Sequence, residues 1–187
     1  MLSRLEEGFK FYLVLHPSPT VVLITLCPGG RVNAMPASWN MPVSEEPPTV
    51  AVAVDRETFT FHCLEHRREA TINVPHAGQA SLVYALGSVS GREVDKVAKF
   101  GLRLEESHYV KPPRWADAIA SMEGRLHAMM DVGEVRLYVF EVLATYVRKD
   151  LYTRWGWDTS KVSPLLHGAG KTFYEVGKMV RAQVSPS

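Results

Sequence analysis

Val21-Val22-Leu23-Ile24-Thr25-Leu26-Cys27-Pro28-Gly29-Gly30-Arg31-Val32-Asn33-Ala34-Met35-Pro36-Ala37-Ser38-Trp39-Asn40 is the stretch on which the fold turns. Its first six residues are apolar or β-branched and are bounded by Pro and Gly, the pattern of a buried strand. Pro28-Gly29-Gly30 is the turn, because glycine supplies the positive φ that a tight reversal needs. Arg31 onward is therefore expected to return antiparallel to the first strand. The return is unusual in composition: Asn33, Ser38 and Asn40 stand among Ala34, Ala37, Met35, Pro36 and the large aromatic Trp39. Small side chains let main-chain amides approach the edge of a flat heteroaromatic ligand while an aromatic covers a face. A plain edge strand with a polar turn has the same composition, and the segment alone leaves both readings open.

Working outward, the 187 residues make one domain of residues 1–187 with enough chain to bury a core unaided. The formal net charge of +1 argues against a dedicated nucleic-acid or polyanion binder and leaves room for a local basic pocket. Cys27 and Cys63 lie far apart with no Cys-x-x-Cys pattern, so neither a disulfide framework nor a zinc site is expected, and a reducing cytoplasm is the default compartment. No apolar run approaches the roughly 18 to 20 residues that span a bilayer, and residues 1–10 carry no apolar signal core, so no membrane partner is expected.

Residues 1–11 read as a short helix or an arm, and Phe11–Leu15 as a strand or helix end broken by the prolines of His16-Pro17-Ser18-Pro19. Pro42 to Pro48 reads as a loop. Thr49–Val54 alternates Val with Ala, as a barrel wall does. Asp55 or Thr58 can cap a helix running through Phe61, Leu64 and His66, and the free amides at its start attract anions. Arg56 would add a two-pronged guanidinium, and Thr58 and Thr60 hydroxyl donors; an ordinary capped surface helix is the alternative. Ala70–Val74 is a strand and Ala80–Leu86 a helix. Ser90 and Glu93 have capping-box spacing for a further helix ended by Gly101. That helix is either structural or, through Ser88, Ser90, Gly91, Arg92 and Lys96, a second set of anion donors. Ser121–Met130 and Glu134–Val147 are long antiparallel strands joined around residues 131–133. Lys149–Ser160, with Tyr152, Trp155 and Trp157, is a cover over a barrel mouth, a subunit contact or a surface loop. Pro164–Tyr174 reads as strand, glycine turn and return strand, and the last dozen residues carry no regular pattern. His62 and His66 have zinc-compatible spacing but no third ligand, and no serine-nucleophile elbow or dinucleotide-binding glycine fingerprint is present, so no metal site or protein nucleophile is assigned.

Four stretches taken together carry a resemblance: Val32-Asn33-Ala34-Met35-Pro36-Ala37-Ser38-Trp39; Pro47-Pro48, the Val/Ala run and Arg56-Glu57-Thr58; Thr71-Ile72-Asn73-Val74; and Ser90-Gly91-Arg92-Glu93-Val94-Asp95-Lys96. In this order the chain resembles the flavin reductase-like, FMN-binding split-barrel family, and within it the flavoredoxin type. The likeness covers about Thr20 to Leu102, with Leu165-Leu166-His167-Gly168 fitting more loosely. It implies a mainly β fold with flanking helices, a six-stranded Greek-key barrel, and a homodimer holding FMN near its interface. By position it puts Asn33 to Asn40 on the isoalloxazine edge and Arg56, Thr58 and Ser88 to Arg92 on the ribityl phosphate, with Lys96. Asp55, Thr60, Asn73 and His167 complete the implied cofactor contacts, and no side chain is assigned a catalytic role. The implied activity is hydride transfer from NADH or NADPH to flavin and on to free flavin, ferric iron or a protein acceptor. The alternative is an FMN-binding electron carrier without nicotinamide turnover. The chain departs from the family pattern at Val97, where many members have Phe, and at Arg148-Lys149-Asp150-Leu151, where the monooxygenase-type reductases carry a His.

Overall fold

The computed structural model describes residues 2–182. β1 (Val21–Leu26) and β2 (Val32–Ala37) form the expected hairpin, with Val21 opposite Ala37 and Leu26 opposite Val32. Gly29 and Gly30 close it at φ of 77° and 81°. β1 is apolar but for Thr25 because both of its faces are covered. Val21 and Leu23 point into a core with Val52, Ile72, Tyr138 and Phe140. Val22 and Ile24 point the other way, against Val83, Leu86, Trp115 and Leu165. The first cluster fills a barrel and the second seats the helices on its wall.

The remaining main elements are β3 (Asn40–Glu45), β4 (Pro48–Asp55), α1 (Phe59–Arg67), β5 (Glu69–Val74), α2 (Ala80–Gly87), α3 (Lys96–Phe100), β6 (Ala120–Val132) and β7 (Val135–Val147). The sheet runs β2-β1-β5-β6-β7-β4-β3, antiparallel throughout. Its two end strands are consecutive in the chain, separated only by Ser38-Trp39. Asn40 Nδ2 braces that corner by donating to Ala37 O (3.1 Å) and Pro19 O (2.9 Å), and Ala53 N donates to Trp39 O (2.9 Å). Counted as one bent strand, β2 and β3 return the sheet to its start, which is the six-stranded split barrel that the sequence implied.

Four local expectations are corrected. Residues 42–45 of the expected Pro42–Pro48 loop belong to β3, and Pro48 opens β4. Pro42 is tolerated there because the strand is at an edge and bulges between Pro42 and Ser44. Phe11–Leu15 is a 3-10 turn rather than a strand, and of the two readings of the residues before it the arm holds for 2–10. Asp95, rather than Ser90, caps α3 by accepting from Ala98 N (3.0 Å), while Ser90 O closes the preceding turn with the N–H groups of Glu93 and Val94. Finally, Cys27 and Cys63 are joined by a disulfide that fastens the end of β1 to α1. Sequence separation concealed that proximity, and with it goes the argument for a reducing compartment that rested on unpaired cysteines.

Three further expectations hold in place: the cap of α1, the end of α3 and the strand, turn and strand of residues 166–174. Thr58 caps α1 by accepting from Phe61 N, and Gly101 ends α3 in the left-handed region. Leu166–His167 and Phe173–Tyr174 are the short strands flanking a glycine turn. Lys149–Ser160 holds a small hairpin on which Tyr152 and Trp157 meet edge to face at 5.0 Å. Of the last dozen residues, 176–182 have no regular secondary structure and 183–187 lie outside the described residues. Among the described residues no helix is long and apolar enough to cross a membrane.

Candidate functional site

β2 is flanked by two cavities that adjoin at Gly87-Ser88, the C-terminal end of α2. The larger, about 490 Å³, is walled by Pro36, Ala37 and Ser38 from β2 and its corner, Tyr84 from α2, and His167 and Phe173 from the C-terminal strands. The smaller, about 310 Å³, lies between Asn33 and Met35 of β2, the start of α1 and the loop from Ser88 to Arg92. One is broad and partly aromatic. The other is a compact polar pocket.

The smaller cavity is built for an anion. At its base Lys96 is 4% exposed, and its ammonium donates to Ala34 O (2.9 Å) and Leu86 O (2.7 Å), with no carboxylate partner among the described residues. Burial pulls its pKa down to about 8, as expected for a cation removed from water without a counter-charge. An ammonium has three protons and only two are used. Asn33 Nδ2 donates to Thr60 Oγ1 (2.9 Å), while its Oδ1 is buried without a partner. The first amides of α1 add donors, since the N–H groups of Phe59 and Thr60 have no intrahelical acceptor. Gly91 lies against Asn33 and Phe59 so closely that a Cβ there would overlap both. At the rim, Arg92 and Arg31 face the Phe59 ring at 5.8 and 5.9 Å, and Arg92 Nη1 donates to Glu57 O (2.9 Å).

In the larger cavity Ser38 Oγ and His167 Nδ1 are 3.2 Å apart. The main chain on both sides is pinned, Ser38 O by Ser18 Oγ (3.0 Å) and His167 O by His16 Nδ1 (3.0 Å).

The structure thus gathers most of the residues that the sequence singled out. Asn33, Met35, Thr58, Thr60, Ser88, Ser90, Gly91, Arg92 and Lys96 line the smaller cavity, and Pro36, Ala37, Ser38 and His167 the larger. Six stand elsewhere. Ala34 turns its side chain into the helix-side core, contributing only its carbonyl to Lys96. Trp39 is exposed and meets Tyr12 edge-on at 5.3 Å. Asn40 spends its amide on the barrel corner. Asp55 closes its own turn by accepting from Glu57 N (2.8 Å). Arg56 points to the β6–β7 hairpin, donating to Gly133 O and Glu134 O and lying 3.8 Å from Asp131. Asn73 is buried, with its amide engaged by Val22 O, Thr71 Oγ1, Trp115 N and Ser121 Oγ, and so serves the fold. Lys96 is not one turn past a capping serine, as its spacing suggested, but sunk beneath β2. Sequence reading missed Tyr84, Phe59, Arg31 and Phe173. Phe59 had a signal, lying between two singled-out threonines, and Tyr84 lies one helical turn before Ser88, whose hydroxyl donates to its carbonyl (2.8 Å).

The split barrel thus carries a ring-sized cavity that adjoins an anion pocket. Comparison with known proteins agrees: the flavin reductase like domain matches residues 13–174. The chain belongs to the flavin reductase-like family. An uncharacterized protein YddH of Escherichia coli (strain K12) is 33% identical over 174 residues, covering 90% of this chain and 92% of that protein. Among solved structures, the FMN-binding protein from Thermus thermophilus with bound 1-cyclohex-2-enone superposes with a TM-score of 0.84 at 26% identity, covering 98% of this chain and 99% of that one. The flavoredoxin of Desulfovibrio vulgaris (Miyazaki F) has the same fold, with a TM-score of 0.83 at 23% identity and 96% and 97% coverage.

Proposed function

We propose that the chain is an FMN-dependent oxidoreductase that takes hydride from NADH or NADPH and passes the electrons to free flavin, ferric iron or a protein acceptor. One observation carries the cofactor assignment. A buried ammonium without a counter-charge and an orphaned buried amide oxygen face one small cavity, beside a second cavity of ring size. A phosphate supplies the missing charge for Lys96, and a ribityl hydroxyl supplies a hydrogen for Asn33 Oδ1. The donor set therefore fits FMN. FMN, when bound, supplies the hydride-accepting chemistry.

The chain's own groups bind and orient. Lys96, the first turn of α1 and Arg92 hold the phosphate end, and the small residues of β2 let main-chain amides reach the ring edge. Ser38 and His167 present polar atoms at the wall of the ring cavity. No protein base is needed for hydride transfer. The exposed apolar surface around Trp39 supports a homodimer.

The visible spectrum of the purified protein before and after desalting tests cofactor retention. Anaerobic mixing with NADH and NADPH then tests the activity: bleaching of the flavin band is expected. Persistent colour with both donors would remove the nicotinamide step and leave an electron carrier, and a colourless protein that takes up no added FMN would end the reading altogether.

A further inference from the structure

The hydrogen bonds around His167 fix which of its nitrogens carries hydrogen. Nε2 lies 3.3 Å from Gly170 O, and Nδ1 lies 3.2 Å from Ser38 Oγ. A carbonyl oxygen only accepts, so Nε2 is the protonated nitrogen of the neutral ring. Nδ1 is then bare and accepts the hydroxyl hydrogen of Ser38. Ser38 thereby turns lone pairs, and no proton, toward the cavity that it lines. A second proton on the imidazole reverses this. Nδ1–H would donate to Ser38 Oγ, and the displaced hydroxyl hydrogen would be free to point into the cavity.

Other groups hold the pair without competing for that proton. The His16 ring is 5.8 Å from the His167 ring, and its Nδ1 is committed to His167 O; Phe173 packs at 5.1 Å. Across the cavity stands Tyr84, with Lys171 Nζ 5.7 Å from its ring. Among the described residues no carboxylate lines this cavity. His16, Tyr84 and Lys171 are thus the other titratable groups around the pair, and among the described residues none of them hydrogen-bonds Ser38.

We infer that His167 is a positioning residue that, through Ser38, couples one proton to reduction of the ring held in the larger cavity. This rests on the FMN reading above. An incoming hydride brings two electrons and one proton; one further proton moves from water to His167 Nδ1, and nothing else is consumed. The imidazolium and the inverted hydroxyl both favour the more electron-rich ring, so reduction draws the proton on.

The test has two arms. In the first, nitrogen-15 NMR of the free protein reads the His167 tautomer directly; the Nε2–H form is expected at alkaline pH, with S38A shifting the Nδ1 resonance. An Nδ1–H tautomer, or resonances that S38A leaves in place, would overturn the pairing. In the second, the protein is loaded with FMN and its midpoint potential is followed against pH by dye equilibration. Wild type is expected to show an inflection at the pH where His167 titrates by NMR, taking up one further proton per two electrons just above that pH, and H167Q to lose both the inflection and the further proton. Should H167Q hold no FMN, S38A carries this arm with the same expectation. Unchanged proton uptake in the variant that binds would refute the coupling. A wild-type protein that retains no FMN would instead refute the cofactor reading, while the free-protein arm still decides the pairing.

Discussion

Lys96 illustrates how a single side chain can be legible in type and hidden in role. Its spacing suggested one of a set of anion donors at a helix start, whereas the chain buries it beneath β2 against two carbonyls. Burial lowers its pKa from 10.5 to about 8. The unfolded chain then binds more protons than the folded one between those values, so the lysine opposes folding below about pH 8 and ceases to do so as pH rises toward 10.5. Phosphate binding restores the ammonium, so FMN affinity should fall as pH rises through 8, by about tenfold per unit while binding still takes up a proton. Fluorescence titration between pH 7 and 10 checks this; a flat profile would detach Lys96 from the phosphate. K96M should raise the FMN dissociation constant by about ten- to a hundredfold, as the loss of a charge-assisted hydrogen bond of about 1.5–3 kcal/mol would. Gly91→Ala is expected to be as damaging without touching a charge, since the added methyl meets Asn33 and Phe59. Asn33, Thr58, Ser88 and Arg92 could be found from residue type and order because the cavity collects short donors at element ends. Arg56 and Asn73 could not be sorted from them, because composition names a donor but not the direction in which it points.

At the scale of elements, hydrophobic patterning located β1, β4 to β7 and α2, whereas β2 was placed by the glycine turn before it and α1 by its capping residue. β3 escaped because Pro42 removes a ladder donor and marks a loop unless the strand is known to be an edge. The Cys27–Cys63 bond escaped for a related reason. Two residues 36 apart become neighbours only after β1 and α1 have packed. Closing a loop of that length restricts the unfolded chain by about 3–4 kcal/mol in the chain-entropy account. Reduction should therefore lower the melting temperature by about 6–15 °C, read by differential scanning calorimetry with and without dithiothreitol. The same bond anchors the helix whose first turn faces the anion pocket, so FMN affinity should weaken in step. Two free thiols titrating in the unreduced, denatured protein would dismiss both expectations. T58A loosens the same helix at its start by removing the cap, at a cost of about 1 kcal/mol, and a melting temperature unchanged from wild type would argue against that cap.

For the molecule as a whole, the corner at Ser38-Trp39 does two jobs. It closes the barrel by letting one bent strand serve both sheet ends, and it brings the ring cavity next to an open edge. Beyond that corner every residue from Met41 to Glu45 is exposed, including the apolar Met41 and Val43 at 56% and 51%. Tyr12 packs on Trp39, so the arm with exposed Phe11, Val14 and Leu15 continues the same surface. A lone chain in water would leave this apolar surface and the unpaired strand edge open to association. Pairing with a second copy covers both, and a stable contact needs only about 800 Å² per partner. Sedimentation equilibrium should therefore give twice the 20.9 kDa of one chain. The double variant M41E/V43E should sediment as a folded monomer with an unchanged circular dichroism spectrum. It should also bind FMN more weakly, since the covered surface begins one residue from Ser38. A wild-type protein that stays monomeric at about 50 μM, well above the micromolar dissociation constants of weak specific interfaces, would show that this surface is covered by something other than its own copy.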